Sequence, residues 1–174
     1  MIPESQVRSR LGVNVTFDGG PTPAVADTGC GLVRLALRRQ EPITQIIDRY
    51  AAHQIAVLPC IDSLTSAQFS SEHAAAAHFS SRLAQKVFAV QIGLNEFETV
   101  GDTSSTASIE DVRRRMLIWA DALLTKDPTL ILVGPGLASG VPSKWPKILD
   151  DVIDAIAPHP YVKDRWTAPP LLNG

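Results

Sequence analysis

A chain of 174 residues is long enough for one sizeable core, and its net charge of −2 gives a polyanion no attractive field, so nucleic acid is not an expected partner. The opening Met-Ile-Pro-Glu-Ser-Gln has no basic stretch leading into an apolar one, and no apolar run is long enough to span a bilayer. Neither a leader nor a membrane anchor is therefore expected, and the default location is cytoplasmic. Linkers, fixed-period repeats and charge blocks beyond Arg113-Arg114-Arg115 are absent, which implies a single domain over 1–174, with the arginine triplet on the solvated face of a helix.

The first apolar run, Leu11–Phe17, reads as a strand carrying Asn14. Gly19-Gly20-Pro21-Thr22-Pro23 is a loop, followed by space for only a turn or two of helix near Ala24–Asp27. Leu32–Leu37 is a second strand with Arg34 at its middle; a guanidinium there needs a carboxylate or a ligand as partner, because burying it unpaired is too costly. Pro42 can open a helix whose apolar stripe is Ile43, Ile46, Ile47, Tyr50 and Ala51.

Ile55–Ile61 is a third strand ending at Asp62. Ser70 or Ser71 can cap the next helix, on which Ala75, Phe79, Leu83 and Val87 fall four apart. The fourth strand begins at Phe88 and stops abruptly at Asn95-Glu96. A short apolar run ending in a carboxylate is what a buried parallel strand with chemistry at its tip looks like, since desolvation by the strand can lift a carboxyl pKa toward a working proton donor's.

Ser108-Ile-Glu-Asp111 is a capping pattern opening a helix with Val112, Met116, Trp119, Ala120 and Leu123 inward. Thr129–Gly134 is a fifth strand, and Ser143 can cap a helix bearing Trp145, Ile148, Leu149, Val152 and Ile153. Ala155–Tyr161 is a sixth, closing on His159-Pro160-Tyr161. Strands alternating with crossovers of helix length imply a parallel α/β fold.

Neither Gly19-Gly20 nor Gly134-Pro135-Gly136 can cradle a phosphate, and Cys30, Cys60, His53, His73, His78 and His159 stand at no metal-ligand spacing, so no metal and no other cofactor is expected. Buried, reduced thiols are the expectation, with a disulfide between the two cysteines left open by spacing alone.

The succession Asn14 on the first strand, Arg34 on the second, Asn95-Glu96 after the fourth and His159-x-Tyr161 after the sixth resembles the clan A glycoside hydrolases, retaining enzymes on a (β/α)8 barrel. The resemblance spans roughly residues 11 to 161. It implies Glu96 as general acid/base, Asn95 on the sugar 2-hydroxyl, Arg34 holding the nucleophile, and His159 and Tyr161 lining the subsite where the bond breaks. It implies carbohydrate as the partner.

The chain departs from the family at its end. A full barrel takes about 250 residues and places the second carboxylate after a seventh strand, so an incomplete TIM-type barrel of about six β/α units is expected, without its nucleophile. Glu98 lies too near Glu96 to replace it, and Asp62 is the better internal substitute. Two open sheet edges favour a homo-oligomer or a larger assembly. The readings left open are a glycoside hydrolase completed elsewhere, a non-catalytic carbohydrate binder, and a structural or assembly protein on a glycosidase-like scaffold. Trp166, in a polar stretch near Pro169-Pro170, could serve as a sugar-stacking platform or as an anchor for the chain end.

Overall fold

The structure, a computed structural model, describes residues 12–15, 25, 27–37, 42–61, 65, 67, 69–93, 109–137 and 151–158. The strands are β1 (Gly12–Val15), β2 (Leu32–Ala36), β3 (Ala56–Ile61), β4 (Ala89–Ile92), β5 (Ile131–Leu137) and β6 (Ala155–Pro158). Between them stand the helices α1 (Ile43–Ala52), α2 (Glu72–Leu83) and α3 (Ile109–Lys126). The strands form one sheet in chain order, β1-β2-β3-β4-β5-β6, and each pairs in parallel with the next. This is the α/β pattern expected from the alternating runs, and it is laid out like six consecutive strands of a β/α barrel.

The helices start where local chemistry dictates. Ser71 is extended and its Oγ accepts from the Ala74 amide at 3.1 Å, satisfying a donor that the first turn of α2 would leave bare. Glu72 adds a negative charge in that turn, where the helix dipole favours it. Pro42 precedes α1, and its carbonyl receives the amides of Gln45 and Ile46.

One face of the sheet carries the core. Val33, Leu35 and Leu37 of the second β/α unit, Val57 and Ile61 of β3, Val90 and Ile92 of β4, and Leu132 of β5 join one buried cluster. Against them pack Ile43, Ile46, Ile47 and Tyr50 from α1, Ala75, Ala76, Phe79 and Leu83 from α2, and Val112, Met116, Trp119, Ala120 and Leu123 from α3. The alternation along each strand therefore sends one set of side chains to the helices and the other to the opposite, concave face. Cys30 and Cys60 are both buried and both free thiols.

Several segments differ from the sequence expectation: α2 ends at Leu83, so Val87 follows the helix and is not on its stripe, and Ala51 of α1 is exposed. Thr129 and Leu130 belong to the turn after α3, because Asp127 Oδ1 takes both the amide and the hydroxyl of Thr129 (3.1 and 2.6 Å); β5 starts at Ile131 and runs through Pro135 to Leu137. A proline can stand in that strand because the pairing with β6 shifts register between Val133 and Gly136. Asp151 and Val152, placed by periodicity on a helix, form a turn, yet Val152 is buried in the core and Ile153 packs against it. The remainder of that proposed helix, with Trp145, lies outside the described residues, as does Ser108.

Asp127 has a second task. Its Oδ2 accepts from the Gln85 amide at 2.9 Å, tying the α2–β4 turn to the α3–β5 turn. Gln85 is left-handed there (φ 61°), a strained backbone for a residue with a Cβ, and the Asp127 bond holds it. Among the described residues no helix is long and apolar enough to cross a membrane.

Candidate functional site

Because every strand runs in the same direction, the C-terminal strand ends share one edge of the sheet, the edge at which barrels of this layout carry their ligands. Arg34 lies within the described residues; Asn95, Glu96, His159 and Tyr161 lie outside them, as do Asp62, Glu98 and Trp166. In sequence, Asp62 follows Ile61 of β3 directly, Asn95 and Glu96 come three and four residues after Ile92 of β4, and His159 follows Pro158 of β6.

Arg34 belongs to the concave set. Its neighbours Val33 and Leu35 are fully buried among the helices, so alternation turns Arg34 the other way, and it is half-buried. In register it stands between Asn14 on β1 and Leu58 on β3. Its Nε donates to Gln91 Oε1 on β4 at 2.7 Å, passing over β3. Strands two apart lie about 9.5 Å from one another, a span the two long side chains close by leaning toward each other. Inward residues of alternate strands meeting in a layer is the packing rule of a barrel interior.

Gln91 is 0% exposed and pairs in register with Cys60, whose thiol reaches the same Gln91 oxygen at 3.4 Å. Gln91 Nε2 and Arg34 Nη2 are both shut off from solvent and have no hydrogen-bond partner among the described residues. The concave face thus holds a cation, an amide and a thiol where the helix-facing side of the same strands is aliphatic. The sequence reading chose Arg34 and passed over Gln91. Its signal was visible: a glutamine inside the buried run Ala89-Val90-Gln91-Ile92 has to find partners.

Behind the rim, on the helical side, the described residues pack closely. A cavity of ≈ 10 Å³ between Ile61, Ile92, Gly93, Met116 and Trp119 has room for about one water and none for a ligand. Its wall is braced by Glu72, which accepts from Arg115 Nε at 3.1 Å and from Trp119 Nε1. A wider hollow of ≈ 450 Å³, lined by His73, Glu110, Arg113, Arg114, Leu117 and Ile118, lies on α2 and α3, away from the concave face. Arg113 is occupied there by a two-pronged pair with Asp151 (2.5 and 2.7 Å), which raises the guanidinium pKa and lowers that of the carboxyl. His78, under Phe69 at a ring distance of 5.0 Å, has its pKa lowered by burial and then by Arg82. Among the described residues no group of three or more His, Cys, Asp or Glu could hold a metal ion.

No family model and no curated protein matches the sequence. Solved structures do resemble it. A family 39 glycoside hydrolase from the gut symbiont Bacteroides cellulosilyticus WH2 superposes with a TM-score of 0.61 at 13% identity, over 87% of this chain and 38% of that one. A GH5-4 broad specificity endoglucanase from Clostridium acetobutylicum superposes with a TM-score of 0.57 at 11% identity, over 94% of this chain and 67% of that one. Both are clan A glycoside hydrolases, so the chain has the scaffold of their barrel in part. It spans little more than a third of the length of the first.

Proposed function

We propose that the protein is glycoside hydrolase-like and acts on or binds a carbohydrate at the C-terminal edge of its sheet. In this reading Glu96 is the general acid/base, Asn95, Arg34, His159 and Tyr161 contact the sugar or hold the reacting groups, and the nucleophile comes from outside these 174 residues. The observation that carries it is the chain-order parallel sheet, in which the strands preceding Asp62, Asn95-Glu96 and His159 all finish at one edge. The likeness to the two glycoside hydrolases supports the scaffold, and Arg34 on the concave face supports a polar interior beneath that edge.

The chemistry follows from the roles. Glu96, protonated, would give its proton to the glycosidic oxygen while a second carboxylate about 5 Å from it attacks the anomeric carbon, after which Glu96 as a base would activate water. Arg34 would hold that second carboxylate ionised. Without it, a sugar can be bound and not turned over. With β1 and β6 each at an edge of the sheet that the described residues form, pairing with a second chain or a further segment is a natural way to cover an open edge, and we include an oligomer or larger assembly in the proposal.

The test is hydrolysis of aryl glycosides, with binding to a glycan panel, by wild type and Glu96→Gln. In a complete hydrolase the substitution should lower turnover by about 10² to 10⁴ with little loss of binding. In the 174-residue chain alone, binding without appreciable turnover is expected. A non-catalytic or scaffold role would show as affinity, or as assembly, that Glu96→Gln leaves intact. If no glycan binds and none is cleaved, the carbohydrate reading fails.

A further inference from the structure

We infer that the outer face of α3 is the interface of a two-fold dimer, with the α3 of a second copy of this chain crossing it antiparallel near Leu117. α3 buries Val112, Met116, Trp119 and Leu123, and the line of the helix opposite them is Glu110, Arg114, Leu117, Asp121 and Leu124, all exposed. Spacings of four and three keep those five side chains on one stripe. Leu117 and Leu124 are 43% and 37% exposed, two turns apart on that stripe. A single surface leucine needs no explanation. Two in line, with an arginine and an aspartate interleaved, make a patterned face.

The pattern selects the occupant and its direction. Because an α-helix rises about 1.5 Å per residue, an antiparallel copy centred on Leu117 brings Arg114 within about 1.5 Å, along the axis, of Asp121 of the partner subunit, and sets Glu110 level with Leu124 of the partner subunit. The two-fold axis repeats the match, so two opposite-charge pairs flank a central pair of leucines. A parallel copy in register would instead set arginine beside arginine and aspartate beside aspartate, like charges that oppose it. The bonds already made on α3 leave this match open: Arg114 reaches Asp111 of its own helix at 3.6 Å with side chains 64% and 58% exposed, a contact that water screens, and Arg113 is held by Asp151.

The hollow of ≈ 450 Å³ supplies the shape. It is walled by Glu110, Arg113, Arg114, Leu117 and Ile118 of α3 and by His73 of α2. That is the end of α3 to which the antiparallel copy brings Leu124 of the partner subunit, so each copy's hollow receives a leucine from the other. A leucine entering beside Leu117 and Ile118 takes apolar surface of both copies out of water. With 18 residues α3 is about 27 Å long, which limits the contact to the small end of specific interfaces and implies a dimer of micromolar rather than nanomolar stability. The interface is separate from the sheet edges and from the C-terminal rim, and the inference does not depend on the carbohydrate reading.

The experiment is sedimentation equilibrium of the 174-residue protein from about 1 to 500 µM, a range that brackets micromolar dissociation. A monomer–dimer equilibrium is expected. Arg114→Asp and Asp121→Arg each set like charges face to face and should weaken the dimer by at least about tenfold. The double charge swap should restore it to within about threefold, a rescue that damage to folding cannot produce. Leu117→Cys, on the two-fold axis, should cross-link to its own counterpart under mild oxidation, and wild type, whose Cys30 and Cys60 are buried, should not. A protein that stays monomeric over the whole range overturns the inference. So does a dimer indifferent to the single charge reversals, which would place the contact elsewhere, such as the edges of the sheet, and so does a double swap as weak as the single ones. Glycan binding is measured separately and can stand or fail in any of these cases.

Discussion

The two faces of this sheet are made by the same strands and serve opposite ends. Toward the helices, Val33, Leu35, Val57, Ile61, Val90, Ile92 and Leu132 are aliphatic and buried; toward the concave side, one residue along each strand, stand Arg34, Cys60 and Gln91. The first face gains free energy from burial alone, about 25 cal/mol for each Å² of apolar surface removed from water, and any well-fitting hydrophobe serves. On the second face polar groups bond to one another, and Arg34 Nη2 and Gln91 Nε2 have no hydrogen-bond partner among the described residues.

The sharpest break of the helix-facing side is at Trp119. It is 1% exposed, stacks near Phe79 at a centroid distance of 6.2 Å, and donates its indole N–H to Glu72. Trp119→Ala should cost about 3–5 kcal/mol through the cavity it opens, with Glu72 losing a donor besides. Urea unfolding monitored by circular dichroism measures it. A loss below about 1 kcal/mol would mean that α3 can collapse onto the sheet, and that this face is not close-packed.

The concave side should answer differently. Gln91→Leu removes the acceptor from Arg34 Nε and is expected to destabilise by about 1–3 kcal/mol, because a guanidinium N–H loses its hydrogen-bond partner away from water. Replacing both, as Arg34→Met with Gln91→Leu, should return stability to near wild type or above it. The double-mutant cycle is the measurement. Strict additivity of the two losses would show that the pair is not coupled, and would erase the contrast between the faces.

Much of this division was legible in the chain. Strands and helices announce themselves by period, and the core faces of α1, α2 and α3 fell where Ile43, Phe79 and Trp119 predicted, because an amphipathic helix has one way to bury its stripe. Ser71 was readable as a cap for the same local reason. Arg34 was readable because a guanidinium inside an apolar run is conspicuous. Gln91 was not singled out, since its importance is set by a partner 57 residues away in sequence, across another strand. The start of β5 was hidden in the side-chain bonds of Asp127, which no periodicity records. The turn at Gln85 lacks the glycine that usually marks a left-handed helix exit. Of the rim itself, Asn95, Glu96, His159 and Tyr161 stand on sequence pattern and on the strand ends they follow.

Asp127 tests the helix-facing side through pH. Its carboxyl lies below the usual value of 3.8 because the Thr129 hydroxyl and the Gln85 amide bond to the ionised form. A folded pKa below the unfolded one contributes stability that is complete above the unfolded value and fades as pH falls through the folded one. Asp127→Asn should therefore be less stable than wild type at neutral pH, and the gap should close progressively below about pH 4. Denaturant midpoints of both proteins across pH 7 to 2 decide it. A gap constant with pH would show that the two turns are joined by shape and not by the charge.

The smallest effect should come from the ion pair that both faces ignore. Lys86 Nζ sits 2.7 Å from Asp48 Oδ1, linking the α2–β4 turn to α1, with side chains 43% and 56% exposed. At that exposure the attraction is screened by water, and holding two flexible side chains together costs entropy, so Lys86→Ala should change stability by no more than about 0.2–1 kcal/mol. Half a molar salt brings the screening length to about 4 Å and should remove most of that remainder. Wild type and Lys86→Ala would then unfold together in high-salt urea titrations. The Gln91→Leu loss, arising between buried atoms, should persist under the same conditions. If salt erased both differences equally, Arg34 and Gln91 would be in contact with solvent ions, and the concave face would be an ordinary wet surface.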